Sequence, residues 1–441
     1  MNLGLKEKIL KSNNFCIYGL GATGTSVINY FNKRKNNAYN YFVWDDDPAK
    51  MFSNSFNIKK KKGRKYFSMA LDLADFIVMS PGISLKNAKL KKNLIKNKNK
   101  IITDLDLFHV FNPKIKSIIV TGSNGKSTTC KILEHVLKKN KINVKLGGNI
   151  GKPVLDLNLK RQPWVIVEAS SFQLAYSQFV RPDYAIILNI TNDHLDWHGS
   201  FKNYFDSKFK IFSNQKKNNF ALLNNKIFLR KFKKEKYKSK LKFVNFYKYM
   251  KIKNKIKNEY LKSKVNEENM SFVYALSKII KINEKTFINS LKSFRGLPHR
   301  HEIFYRKKNK TFINDSKATT FEASRFALEN NKNIFWIVGG LPKLGDRFQL
   351  EKLKKNITKT YIIGKHMEKF KRHLKGKINF QLCKTLKNAV ISILKDTSNI
   401  KDKKITILLS PASASYDQFK NFEERGNYFK NLIVKKFNVR F

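Results

Sequence analysis

The sequence predicts an α/β protein of doubly wound, mostly parallel sheets, arranged in three successive segments. Three observations carry this reading. Short apolar runs alternate with helical patterns along the chain. Glycine-rich turns follow two of those runs, GLGATG at 19–24 and TGSNGKST at 121–128. Acidic or amide residues stand just past other runs, at Asp45, Glu168 and Asn189, where open parallel sheets place their ligands.

The first segment, 1–112, opens with the strand FCIYGL, turns at GLGATG and enters a helix at TSVINYF. A second strand, YFVWDDD, ends in acids, and a third, ADFIVMS, runs into the turn Ser80-Pro81-Gly82-Ile83. Asn112-Pro113 marks the boundary. The second segment, 113–296, has strands at 117–120, 164–167 and 184–188 and helices at 127–137 and 267–280. Between them, residues 215–262 are lysine-rich with interleaved aromatics. They read either as an RNA-binding insert or, by preference, as short solvated strands of a lysine-biased chain. The third segment, 297–441, begins after FRGLP and has strands at 311–313, 334–338, 360–363 and 405–409. No solenoid-type repeat is present.

The 441 residues are 41% hydrophobic, enough for ordinary cores. The net charge of +58 would suit nucleic acid or an anionic membrane. However, lysine is spread through every segment and arginine is the minority base, which reads as solvated faces without a nucleic-acid partner. No apolar run approaches the ~20 residues that span a bilayer, and the N-terminus lacks a signal-peptide pattern. Cys16, Cys130 and Cys383 are few and far apart, fitting a reducing compartment. A cytoplasmic enzyme is the expectation.

The chemistry concentrates in a few stretches. In TGSNGKST, a turn between strand and helix aims backbone N–H groups at phosphate oxygens, and the helix N-terminus adds partial positive charge. Lys126 can reach β and γ phosphates and the Ser127 hydroxyl can ligate Mg²⁺. Val120 stands where the Walker pattern places its first glycine, so the loop is a shortened variant. GLGATG fits G-x-G-x-x-G and could hold a dinucleotide or another diphosphate, with an acid of 45–47 in the expected range. Glu168 offers oxygen to Mg²⁺. His194 reads equally as a structural histidine or a ligand, and Lys208, on composition alone, as a surface lysine.

These stretches occur in an order that resembles the Mur ligases. The matching sequences are GLGATGTS, SPGISL, TGSNGKSTT, GGNIGKPVLDL, EASSFQL, LNITNDHLDWHGS, YFDSKFKIF, FRGLPHRHE, INDSKATT, VGGLPKLGDRF and LSPASASYDQFKNFEERGNYF, over nearly the whole chain. NDSKAT together with the last stretch is similar to the D-glutamate-adding branch. Residues 215–262 match least.

The resemblance implies a Rossmann-like N-terminal domain that binds a UDP substrate, a central P-loop ATPase-type domain, and a Rossmann-like C-terminal domain that binds an amino acid. It implies ATP-dependent addition of D-glutamate to UDP-N-acetylmuramoyl-L-alanine by a monomer, with no membrane partner. ATP would lie on Gly122, Ser123, Asn124, Gly125, Lys126, Ser127 and Thr128, with Asn269, Arg300 and Asp315. Ser263 and Val265 stand where the family shows glycine and histidine ahead of that asparagine. The UDP substrate would meet Gly21, Ala22, Thr23, Asp45, Ser80, Pro81, Gly82, Asn149, Ser170 and Gln173. D-Glutamate would meet Lys317, Thr319, Lys343, Ser415 and Phe422. Two Mg²⁺ ions would be held by Ser127 and Glu168 and by His194 and a carbamylated Lys208. Lys126, His194 and Lys208 would be catalytic.

Overall fold

The computed structural model describes residues 7, 9–34, 39–51, 63–263, 266–343, 345–346 and 348–438. Val265, and Leu344 and Arg347 of the VGGLPKLGDRF stretch, lie outside them. The chain forms two compact units, Met1–Phe294 and Arg295–Phe441.

The first unit contains two sheets. Strands β1 (Asn14–Tyr18), β2 (Asn40–Trp44), β3 (Phe76–Met79) and β4 (Ile101–Ile102) form a parallel sheet of order β2-β1-β3-β4. Strands β5 (Ser117–Thr121), β6 (Val144–Gly148), β7 (Trp164–Glu168), β8 (Tyr184–Ile187), β9 (Phe220–Leu223) and β10 (Lys240–Phe243) form a second, of order β10-β9-β8-β5-β7-β6. The inner strands read as nearly unbroken apolar runs because helices cover both faces. Ile118, Ile119 and Val120 of β5 and Val165, Ile166 and Val167 of β7 are fully buried.

Buried polar contacts join the two sheets. One Asp106 oxygen accepts from the Gln178 and Phe179 amides at 2.9 and 2.6 Å. The Tyr176 hydroxyl donates to the Ile83 carbonyl and accepts from the Leu85 amide, at 2.9 and 3.0 Å. The SPGISL turn is thereby pinned beside the helix Ser171–Tyr176.

The second unit holds one six-stranded sheet: β11 (Glu302–Lys307), β12 (Lys310–Asn314), β13 (Ile334–Gly339), β14 (Ile357–Ile363), β15 (Phe380–Lys384) and β16 (Ile405–Leu409). Its order is β11-β12-β16-β13-β14-β15, parallel except at β11. The predicted strands at 311–313, 334–338, 360–363 and 405–409 are its four inner strands.

Two sequence expectations need correction. Residues 215–262 are not a set of solvated strands. β9 pairs with β8, and its Ala221, Leu222 and Leu223 are fully buried. Helices Lys226–Lys234 and Phe246–Lys253 follow. Phe228 and Phe232, four residues apart, are the buried face of the first; the abundance of lysine hid that period. Only β10 is a solvated edge, where its exposed lysines discourage further pairing. The edge strands β6, β11 and β15 were missed, because each is half exposed and lacks a long apolar run, and β4 because it is only two residues long. In β11 a bulge between Ile303 and Tyr305 also breaks the alternation.

Candidate active site

The loop after β5 is shaped for a phosphate. Gly125 caps the helix Lys126–Lys139 with φ of 82°. A Cβ there would fall 2.2 Å from Asn269 Oδ1, so both backbone and space require glycine. The helix start leaves amides without intrahelical acceptors, and Ser127 and Thr128 lie in its buried first turn. Asn269 is buried beneath the loop, accepting from Thr129 Oγ1 and donating to Asn266 Oδ1, both at 3.1 Å.

Two lysines converge on one carbonyl of this loop. Lys126 Nζ donates to the Gly122 and Ser123 carbonyls, each at 2.8 Å. Lys208 Nζ, from the helix Phe201–Phe209, donates to the same Gly122 oxygen at 2.9 Å. Lys208 is 1% exposed, which corrects its reading as a surface lysine. Its amine lies 4.6 Å from the centre of the Tyr204 ring and, among the described residues, makes no ion pair. Burial, and then the Lys126 charge, push its pKa well below the usual lysine range.

Glu168, the last residue of β7, is 2% exposed. Its Oε1 accepts from Asn149 Nδ2 at 3.0 Å, while Oε2 is buried without a hydrogen-bond partner among the described residues. An unmatched carboxylate oxygen of this kind suits a hard cation. His194 sits at φ of 53°, with Nε2 3.3 Å from Asp193 Oδ2 and its ring edge-on to Phe172 at 4.6 Å. Nearby, His198 is buried with Nε2 2.9 Å from Ser171 Oγ. Its pKa falls to about 4 through burial, then through the charges of Lys208 and His194.

Asn189 and Tyr204, which the motif reading gave no role, complete the frame. The Ser123 and Tyr204 hydroxyls lie 2.7 Å apart. The Ser123 amide donates to the Asn189 carbonyl at 2.8 Å, and the Asn124 amide to Asn189 Oδ1 at 2.9 Å. Two signals pointed to them: Asn189 follows a buried strand, and Tyr204 precedes Lys208 by one helical turn.

At the first sheet, GLGATG folds tightly on itself. A Cβ on Gly24 would lie 1.9 Å from the Gly19 carbonyl. Asp45 accepts from the Leu20 and Asp47 amides at 2.7 and 2.8 Å, and Ser80 Oγ donates to the Gly19 carbonyl at 2.7 Å. Asp45 and Ser80 therefore hold the loop. Gly21, Ala22 and Thr23 start the helix Ala22–Lys33, and Gly21, like Gly82 in the Pro81-Gly82 turn, has open space where a side chain would be.

Ser170 and Gln173 form a capping box, and Gln173 Nε2 donates to Asp104 Oδ1 at 3.3 Å. Asp104 is 1% exposed, and burial lifts its pKa to about 6. A carboxyl with a raised folded-state pKa binds its proton more tightly when folded. Its contribution to stability is therefore fully present below pH ~4 and falls by ~3 kcal/mol as pH rises through ~6. Asp104→Asn should remove that slope in urea titrations across this range. A slope that survives the substitution would assign it to another group.

Comparison with known proteins then decides the family. The Mur ligase middle domain matches residues 120–290, and the MurD-like N-terminal domain of Mur ligases matches residues 13–103. The chain is 34% identical to the UDP-N-acetylmuramoylalanine--D-glutamate ligase of Rickettsia bellii, over 96% of this chain and 98% of that protein. It is 35% identical to the ligase of the same name from Buchnera aphidicola, over 94% and 96%. The chain belongs to the Mur ligase family. The fold agrees: UDP-N-acetylmuramate-alanine ligase MurC from Thermotoga maritima superimposes with a TM-score of 0.55 at 16% identity, covering 96% of this chain and 99% of that one.

In the second unit of this Mur ligase, β12 and β16 bring several predicted residues together. Asp315, just past β12, accepts from the His301 amide at 3.0 Å and from Ser410 Oγ at 2.6 Å. Its pKa rises to about 7, mainly through burial, with nearby Arg300 acting the other way. Lys317 Nζ lies 4.3 Å from the centre of the Phe422 ring. Thr319 is half-buried and Ser415 buried. Lys343 lines a cavity of about 400 Å³ with Asp346, Phe348, Arg372 and His373. Among the described residues, no helix of this Mur ligase is long and apolar enough to cross a membrane.

Proposed function

We propose that this Mur ligase joins D-glutamate to UDP-N-acetylmuramoyl-L-alanine in the cytoplasm, consuming ATP and releasing ADP and phosphate, as a step of peptidoglycan precursor synthesis. The observation that carries the reading is the meeting of Lys126 and Lys208 on one loop carbonyl at the end of a parallel sheet. Two amines meet there, Lys208 makes no ion pair among the described residues, and anions would complete the site. The relatives' shared name supports the choice of substrates.

In this reading residues 1–112 bind the UDP substrate, 113–296 bind ATP and 297–441 bind the amino acid. The loop 122–128, with the amides at the start of its helix, and the Lys126 ammonium hold ATP phosphates, with Asn269, Arg300 and Asp315 as further ATP contacts. The substrate carboxylate attacks the γ-phosphorus and ADP departs, leaving an acyl phosphate. The D-glutamate amine attacks the acyl carbon, loses a proton, and phosphate leaves. Lys126 already lies over the loop, bonded to the Gly122 and Ser123 carbonyls, and would exchange them for oxygens on which charge develops.

Two Mg²⁺ ions would be held by Ser127 with Glu168, whose Oε2 is buried without a hydrogen-bond partner among the described residues, and by His194 with a carbamylated Lys208. Bound there, they would offset charge between phosphate and carboxylate oxygens. Burial favours the neutral Lys208 amine. Its nitrogen can add to the carbon of CO₂ and release a proton, turning a buried cation into an anion with two oxygens. Gly21, Ala22, Thr23, Asp45, Ser80, Pro81, Gly82, Asn149, Ser170 and Gln173 serve the UDP-sugar, directly or by shaping its loops. Lys317, Thr319, Lys343, Ser415 and Phe422 serve D-glutamate.

The test is phosphate release from ATP with UDP-N-acetylmuramoyl-L-alanine, Mg²⁺ and bicarbonate, comparing D-glutamate with L-glutamate, L-alanine, meso-diaminopimelate and L-lysine. Release with D-glutamate alone is expected. Release with a different amino acid would reassign the amino-acid pocket, and none with any would refute the activity.

A further inference from the structure

We infer that Glu268 is a positioning residue for the nucleotide, acting on the phosphate loop through the carboxamide of Asn189. The inference rests on the reading of 121–128 as the ATP site. Asn189 holds two consecutive loop residues. Its carbonyl accepts from the Ser123 amide at 2.8 Å, and its Oδ1 accepts from the Asn124 amide at 2.9 Å. Its Nδ2 donates to the Asn124 carbonyl at 3.3 Å and to Glu268 Oε2 at 2.5 Å. Glu268 Oε1 accepts from Asn224 Nδ2 at 2.8 Å.

A carboxamide can turn over, exchanging its oxygen and nitrogen. If Asn189 did so, Oδ1 would leave the Asn124 amide and face a carboxylate. An ionised carboxylate only accepts, so Glu268 holds Nδ2 toward itself and Oδ1 toward the loop. Asn224 in turn fixes the carboxylate from its second oxygen. Asn224 directly follows β9, so the lysine-rich stretch that matched the family least supplies the outer end of a brace on the phosphate loop. Without Glu268, the loop backbone would have to be ordered when the phosphates bind, and that ordering would be subtracted from nucleotide affinity.

The experiment measures ADP affinity by calorimetry on the full chain, alongside the KM values for ATP and for the UDP substrate. Glu268→Ala is expected to weaken ADP binding and raise the ATP KM by roughly tenfold, leaving the UDP-substrate KM within about twofold. Asn189→Asp, which sets two carboxylates face to face, should weaken ADP at least as much. Adding Glu268→Gln to it restores a donor–acceptor pair and should bring ADP affinity back to within about threefold of the parent. Recovery in the double variant would not follow from a merely structural role. Unchanged ADP affinity in Glu268→Ala, equal losses for both substrates, or no recovery in the double variant would each overturn the inference. A parent chain that does not bind ADP would remove the ATP-site reading, and this inference with it.

Discussion

Replacing Lys126 with alanine is expected to lower ligation by roughly 10³-fold or more, because the substitution removes a cation aimed at the phosphates in a partly dry site. The ammonium already lies over the loop, bonded to the Gly122 and Ser123 carbonyls. It therefore needs only to exchange carbonyl oxygens for phosphate oxygens. The fold should survive, since the side chain is half-buried and the helix Lys126–Lys139 is anchored by Ile132, Leu133, Val136 and Leu137. Phosphate release at saturating substrates is the readout, with circular dichroism to confirm folding. Near-normal turnover would sink the phosphate-loop assignment.

Lys208→Ala should also be nearly inactive, by roughly 10²–10³-fold, but for a different reason. If Lys208 works as a carbamate, alanine deletes an anion and leaves a cavity beside Gly122 and Tyr204. A short carboxylic acid such as formate or acetate can enter that cavity and restore two oxygens. Partial recovery of phosphate release with added acid is the expected signature, and Lys126→Ala should not show it. A folded Lys208→Ala protein that no short acid rescues would count against the carbamate. The two variants thus separate two lysines that share a hydrogen-bond acceptor.

The fold was largely legible from the chain. The inner strands of all three sheets carry apolar runs because they are buried on both faces, and a glycine-rich turn after such a run is a local signal. The edge strands β6, β11 and β15 were not legible, since a half-exposed strand of five residues such as VKLGG or FQLCK lacks an apolar signature. Lysine abundance hid the helices between 226 and 253 for a related reason: their buried positions are few, and only the spacing of Phe228 and Phe232 reveals the period.

For the site, the sequence by itself determined the loop and its helix, because Gly125 and Lys126 act within one turn of chain. It also placed Asp45, Glu168 and Asn189 at strand ends, which is a matter of local order. Tertiary structure alone decided what those residues meet. Composition made Lys208 a surface residue, and packing buried it on the carbonyl that Lys126 also uses. Nothing in the spacing of Asn189, Asn224 and Glu268 announces that three separate elements meet beside the phosphate loop. Periodicity records which face of an element is buried. Hydrogen bonds between distant elements depend on how the sheets and helices pack, and no local pattern carries that.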